Sequence, residues 1–117
     1  MIDGSQPAPC STVTAGALTI RRLAGRHGLL LDGEADLNSY GALSGALRAL
    51  LVDDPDEIHL ELAGLTFIDV SCTRELVTLT QFPRPARVIL HNPPWSLQRI
   101  TTLAWPYASI EVASAGD

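Results

Sequence analysis

LTFIDVSCTREL, residues 65–76, opens on apolar residues, presents an acid, two hydroxyls and a thiol as Asp69, Ser71, Cys72 and Thr73, and closes on Leu76. A passage from an apolar run into short polar side chains reads as the point where one element ends and a helix begins. Asp and Ser accept hydrogen bonds from the unpaired N–H groups of a first helical turn. Leu76, Val77 and Thr80 then fall on one side of a short helix over 71–82, which Pro83-Arg84-Pro85 stops. On residue chemistry alone, Asp69 or Ser71 is an N-cap worth about 1 kcal/mol, and the same hydroxyls and thiol are open to modification or nucleophilic chemistry.

The flanking sequence sets this junction in an alternating chain. Upstream, residues 57–64 place Ile58, Leu60 and Leu62 on one face and His59 and Glu61 on the other, the period of a strand. Residues 38–54 carry Leu43, Leu47, Leu50 and Leu51 at helical spacing, with Asn38 or Ser39 as N-cap. Segments 17–25 and 29–36, joined by a turn at 26–28, read as a hairpin. Downstream, 86–92 is a strand and 92–105 a helix capped by Asn92 with Pro93 in its first position. Residues 108–113 form a last strand. The order β-β-α-β-α-β-α-β predicts an α/β fold with a mixed sheet of about four to five strands. Residues 1–16, rich in Gly, Pro, Ser, Thr and Ala, read as a flexible leader, 17–113 as one domain and 114–117 as a flexible tail.

Composition narrows the classes of function. The 117 residues are 46% hydrophobic and 18% charged with net charge −5, and every basic residue is Arg. With no basic cluster beyond Arg21-Arg22, a phosphate-tracking nucleic-acid surface is not expected. An acidic surface suits solubility or a partner with a basic face. The start lacks the basic and apolar regions of a secretory signal, and no apolar run is long enough for a membrane span. A reduced, cytoplasmic protein is the expectation, with Cys10 and Cys72 at no metal spacing. His27, His59 and His91 are scattered, Asp53, Asp54 and Asp56 crowd a turn without a calcium-loop pattern, and no phosphate-binding Gly-rich loop is present. Trp95 and Trp105 flank the last helix, and either becomes an interface candidate if exposed.

The order of elements, LLLDGEADLNSY (29–40) and LTFIDVSCTREL together resemble the STAS domain family, and within it the bacterial anti-sigma factor antagonists. Gly33-Glu34-Ala35-Asp36 stands where the family carries G-E-L-D, and Phe67-Ile68-Asp69-Val70-Ser71-Cys72 where it carries F-I-D-S-S-G. RVILHNP (87–93) before an apolar helix matches the family's ending, so the resemblance spans about 17–113. It implies a STAS-like fold with helices packed mainly on one side of the sheet, and a protein that binds rather than catalyses, with no cofactor and no metal. The implied partner is an anti-sigma factor with serine kinase activity, which the unphosphorylated antagonist sequesters and thereby frees a sigma factor for transcription. Phosphorylation of the antagonist releases that partner, and a phosphatase resets the switch.

By position Ser71 matches the phosphorylated serine, and the implied contact surface is Asp69, Val70, Ser71, Cys72 and Thr73 with Glu34 and Asp36. Cys72 stands in place of the family's glycine and Val70 in place of a small polar residue. Three alternatives stay open: phosphorylation at Thr73 instead, a scaffold or sensory module that is never phosphorylated, and an enzyme using Ser71 or Cys72 as nucleophile.

Overall fold

The computed structural model describes residues 12–81 and 86–113. Its elements are β1 (Thr12–Ala15), β2 (Leu18–Arg22), β3 (Gly28–Ala35), α1 (Tyr40–Leu50, continued by a 3-10 turn Leu51–Asp53), β4 (Glu57–Glu61), β5 (Leu65–Ile68), α2 (Val70–Thr78), β6 (Arg87–His91), α3 (Trp95–Ala104) and β7 (Ile110–Val112). One mixed sheet runs β1-β2-β3-β4-β6-β7, with β5 paired to β3. The β1-β2-β3 meander is antiparallel, and every later pairing is parallel.

Alternation divides the sheet into two faces. Leu18, Ile20, Leu29, Leu31, Ile58, Leu60, Val88 and Leu90 are buried in one core with Leu43, Leu47 and Leu50 of α1, Cys72 and Leu76 of α2, and Leu97 of α3. Of the intervening residues Arg21, Asp32, Arg87 and Glu111 are exposed, Leu30, His59 and His91 are partly buried and Ile89 is buried. The core relies on one residue type, as the shortage of aromatics requires: of the twelve largest fully buried side chains, eleven are Leu and one is Ile58. Each contributes about 1.5–3 kcal/mol on burial.

Two strands lie outside the sequence reading and raise the expected four to five to seven. Thr12–Ala15, read as leader, is β1, in register with β2 from Thr12↔Arg21 to Ala15↔Leu18. The β-branched Thr12, Val13 and Thr14 favour extension, and Gly16 at φ +58° makes the turn. Leu65–Ile68 is β5, which pairs with the end of β3 while β4 pairs with its beginning, so β5 continues the line of β4 after a short break. Its burial does not alternate cleanly: Leu65 is buried and both Thr66 and Phe67 are exposed.

Helix starts also differ from expectation. Ser39 occupies the N-cap position of α1 without capping it. Its hydroxyl instead accepts from Asp36 N–H at 3.0 Å. Asn92 does not cap α3, which begins after Pro94; Asn92 adopts φ +54°, a conformation Asn tolerates, and its side chain donates to Glu61. The expected stop at 83–85, the rest of the leader with Cys10, and the tail at 114–117 lie outside the described residues.

Candidate functional site

The parallel strands β3 and β5 end side by side, and each hands the chain to a helix. The two loops are stitched together. Asp69 N–H donates to the Ala35 carbonyl at 3.0 Å, and the Cys72 thiol reaches the Asp36 carbonyl at 3.6 Å. In the first loop Asp36 Oδ1 accepts from Asn38 N–H at 2.9 Å, and the Asp36 carbonyl accepts from Ser39 N–H at 3.0 Å. Gly33 permits the approach of this end of β3 to the β1–β2 turn: at φ +108° its missing Cβ would stand 2.0 Å from the Ala17 carbonyl oxygen.

In the second loop Asp69 is the N-cap. Its backbone is extended and its Oδ1 accepts from Cys72 N–H at 2.8 Å. The Asp69 carbonyl receives both Thr73 N–H at 2.9 Å and Thr73 Oγ1 at 2.8 Å. Of the first-turn donors of α2, those of Val70 and Ser71 meet no acceptor among the described residues and are available to solvent or an anion. Ser71 is exposed, and Val70 is 48% exposed.

Placement divides the expected contact residues. Val70, Ser71 and Glu34 are exposed, and Asp36 and Asp69 are partly so. Cys72 and Thr73 are fully buried and offer no contact surface. The inward stripe of α2 is Cys72, Thr73, Leu76 and Val77, the i, i+1, i+4, i+5 pattern of one helix face. Extending the apolar pair Leu76-Val77 back by one turn identifies both residues in the sequence. The Thr73 hydroxyl is buried and donates to the Asp69 carbonyl, whereas Ser71 is exposed.

Cys72 is poorly suited to nucleophilic or redox chemistry. Burial first, then its neighbours Asp69, Asp36 and Glu75, push its thiol up to about 12, against the lowering usual at a helix start. In a Cys10→Ser variant, Cys72 is expected to react with an aromatic disulfide reagent near neutral pH at least about a hundredfold more slowly than in the unfolded chain. Comparable rates before and after denaturation contradict this placement.

The sequence reading missed three features around Ser71. Leu37, in the β3–α1 loop, is 84% exposed and Phe67, in β5, 50%, so with Val70 at the start of α2 three apolar side chains in or next to the two loops are exposed. An apolar residue between Asp36 and Asn38 in a polar loop was the available signal for Leu37. The third feature is Glu75, which joins α2 to α1: it accepts from Tyr40 Oη at 2.7 Å and Ser44 Oγ at 2.8 Å, with Arg48 at 4.0 Å. The bond to Glu75 raises the Tyr40 phenol's pKa, because ionisation would set two anions together. Trp95 is 69% exposed with Arg99 lying over its ring at 5.1 Å, which meets the condition for an interface candidate. Among the described residues no group of three or more His, Cys, Asp or Glu side chains is placed to hold a metal ion, and no helix is long and apolar enough to cross a membrane.

No family model and no curated protein matches the chain. Among solved structures it is similar to that of the anti-sigma factor antagonist SpoIIAA in its unphosphorylated form. The match has a TM-score of 0.53 and 17% identity, and covers 84% of this chain and 89% of that one. At this identity the likeness is one of fold: an α/β, STAS-like architecture with a mixed sheet and its helices to one side.

Proposed function

We propose that this chain is a protein-binding switch of the anti-sigma factor antagonist kind, controlled by phosphorylation at Ser71. The observation that carries the reading is an exposed serine on the first turn of a capped helix, in a surface where Leu37, Phe67 and Val70 are also exposed. Exposed apolar groups beside polar ones are what a transient protein interface requires. The STAS-like fold and the matching position of Ser71 support the same reading.

In this account the unphosphorylated protein sequesters a cytoplasmic anti-sigma factor through Val70, Ser71, Asp69, Glu34 and Asp36, and Leu37 and Phe67 add apolar area. The anti-sigma factor is a serine kinase, and it releases itself by transferring phosphate to Ser71. A phosphatase restores the binding form, and sigma-dependent transcription follows the cycle. The protein contributes no catalysis and needs no cofactor. Cys72 does not obstruct a kinase, since its side chain lies in the core rather than beside the Ser71 hydroxyl.

Calorimetric titration against serine-kinase anti-sigma factors of the same genome tests the binding half of the proposal. Saturable 1:1 binding is expected, weakened at least about tenfold by Val70→Asp at unchanged melting temperature, since Val70 is a surface position. Failure of every such candidate to bind overturns the reading.

A further inference from the structure

The sheet has an outer strand at each end, and the two differ. β7 carries Glu111 at its centre, paired with Arg87. A short, charged strand discourages pairing with another chain. β1, Thr12-Val13-Thr14-Ala15, has no charge, no proline and no bulge in its register with β2. Among the described residues no strand pairs with its outer side. We propose that this edge is an interface between two copies of the chain, joined by antiparallel pairing of β1 with β1 about a two-fold axis at Val13. This goes beyond the Ser71 reading and does not depend on it.

The hairpin fixes which backbone groups face outward. Gly16, at φ +58°, and Ala17 make a two-residue turn with glycine first, the pattern of a type II′ hairpin. Ala15 and Leu18 then exchange both their N–H···O bonds, and by alternation so do Val13 and Ile20. The far side of β2 agrees. The Ala17 carbonyl accepts from Glu34 N–H at 3.0 Å, so Thr19 and Arg21 turn to β3 and leave Leu18 and Ile20 to β1. Thr12 and Thr14 therefore direct their N–H and C=O groups away from the sheet.

A second β1 meets those groups in one register. With Val13 opposite Val13, Thr12 of each copy stands opposite Thr14 of the other, and each such pair exchanges both bonds. Val13 becomes a non-hydrogen-bonded pair with its own copy, the kind in which side chains stand closest. It lies on the Ile20 side of the sheet and is 45% exposed, beside an apolar groove of about 210 Å³ lined by Ile20, Leu29, Ala46 and Ala49 together with Arg22. The second Val13 covers this exposed side chain. Charge favours a second copy as the occupant. Thr12 is in register with Arg21, and Thr14 through Thr19 with Asp32. Across the axis Arg21 of one copy thus shares a row with Asp32 of the other, both exposed, and no like charges share a row at the junction. The edge is short, so the dimer is reversible and belongs with small interfaces.

Sedimentation of the full chain between about 10 and 500 µM tests the proposal, with a mass rising towards twice that of the monomer as the expected result. Thr14→Pro removes only an outward N–H, which an edge strand tolerates. Val13→Lys sets two ammonium groups at the axis. Each is expected to weaken dimerisation at least about tenfold, while the Leu18 and Ile20 amides keep their protection from exchange and so report an intact hairpin. A monomer at the highest concentration overturns the proposal, as does a dimer unaffected by both substitutions. Oxidative crosslinking tests the register independently. In a Cys10→Ser background, Val13→Cys is expected to give a covalent dimer, whereas Thr12→Cys, displaced from the axis beyond disulfide reach, is not. No crosslink at Val13→Cys, or equal crosslinking at both positions, contradicts the pairing.

Discussion

Gly28→Ala is expected to destabilise the fold by about 3 kcal/mol or more, one of the largest effects available to a single added methyl. Gly28 opens β3 directly opposite His59, where a Cβ would stand 1.7 Å from the His59 carbonyl oxygen and 2.6 Å from its carbon. Both atoms are backbone, so no side-chain rotation relieves the clash. β3 must move off β4, and the bond from His59 N–H to the His27 carbonyl at 2.9 Å goes with it. Since β3 carries the Asp36 loop and the line of β4 leads through β5 to Asp69, the same displacement disturbs the Ser71 surface. Urea unfolding of Gly28→Ala beside Gly41→Ala separates steric cost from propensity. Gly41 lies within α1 with nothing within 4 Å of its would-be Cβ. Its replacement is expected to stabilise by about 0.5–1 kcal/mol. Two substitutions of the same kind with opposite signs are the predicted result, and a neutral Gly28→Ala refutes the close approach of β3 to β4.

Phosphate on Ser71 is expected to lower affinity for the anti-sigma partner about a hundredfold or more. The group adds about −1.5 to −2 charges and three acceptor oxygens. Asp69, Asp36 and Glu34 already make this end of the sheet acidic, and the chain carries −5. At an interface, new like-charge contacts and the desolvation of a dianion cost several kcal/mol, and each 1.4 kcal/mol is about tenfold. No refolding is required, because a phosphate there would be stabilised by the Val70 and Ser71 N–H groups at the start of α2. Titrations of the phosphorylated and unmodified proteins at low and moderate salt measure the effect, which should shrink as salt rises. Affinities within about threefold of each other would show that the phosphate does not sit at the contact surface.

Much of this architecture was legible in the sequence because hydrophobic period and cap chemistry are local. Alternation through Ile58, Leu60 and Leu62 gave a strand, and the leucines of α1 gave a helix with its buried face. A cap at Asp69 or Ser71 was legible from residue type and place, and it is Asp69 that fills it. What escaped depends on contacts distant in sequence. β5 has no clean alternation, since it is paired on one side only and leaves Phe67 in solvent. β1 was hidden by the Gly- and Pro-rich composition before it, although three of its four residues, Thr12, Val13 and Thr14, are strand formers. Asn92 carries a capping residue's chemistry, but its positive φ and its bond to Glu61 use it otherwise. The pairing of His59 Nδ1 with His91 Nε2 at 2.9 Å is a matter of register between β4 and β6, which no local pattern encodes. Burial of Cys72 and Thr73 follows from the rotation of α2, fixed by where Asp69 starts it.

A switch at Ser71 requires that a kinase partner place phosphate on that residue. The protein is mixed with ATP, Mg²⁺ and each serine-kinase anti-sigma factor of its genome, and intact mass and site mapping follow, with Ser71→Ala in parallel. A single phosphate, mapped to Ser71 and missing from Ser71→Ala, is the predicted result. Phosphate on another residue, or none from a kinase that binds the protein, would contradict the account and leave a constitutive antagonist or a scaffold module.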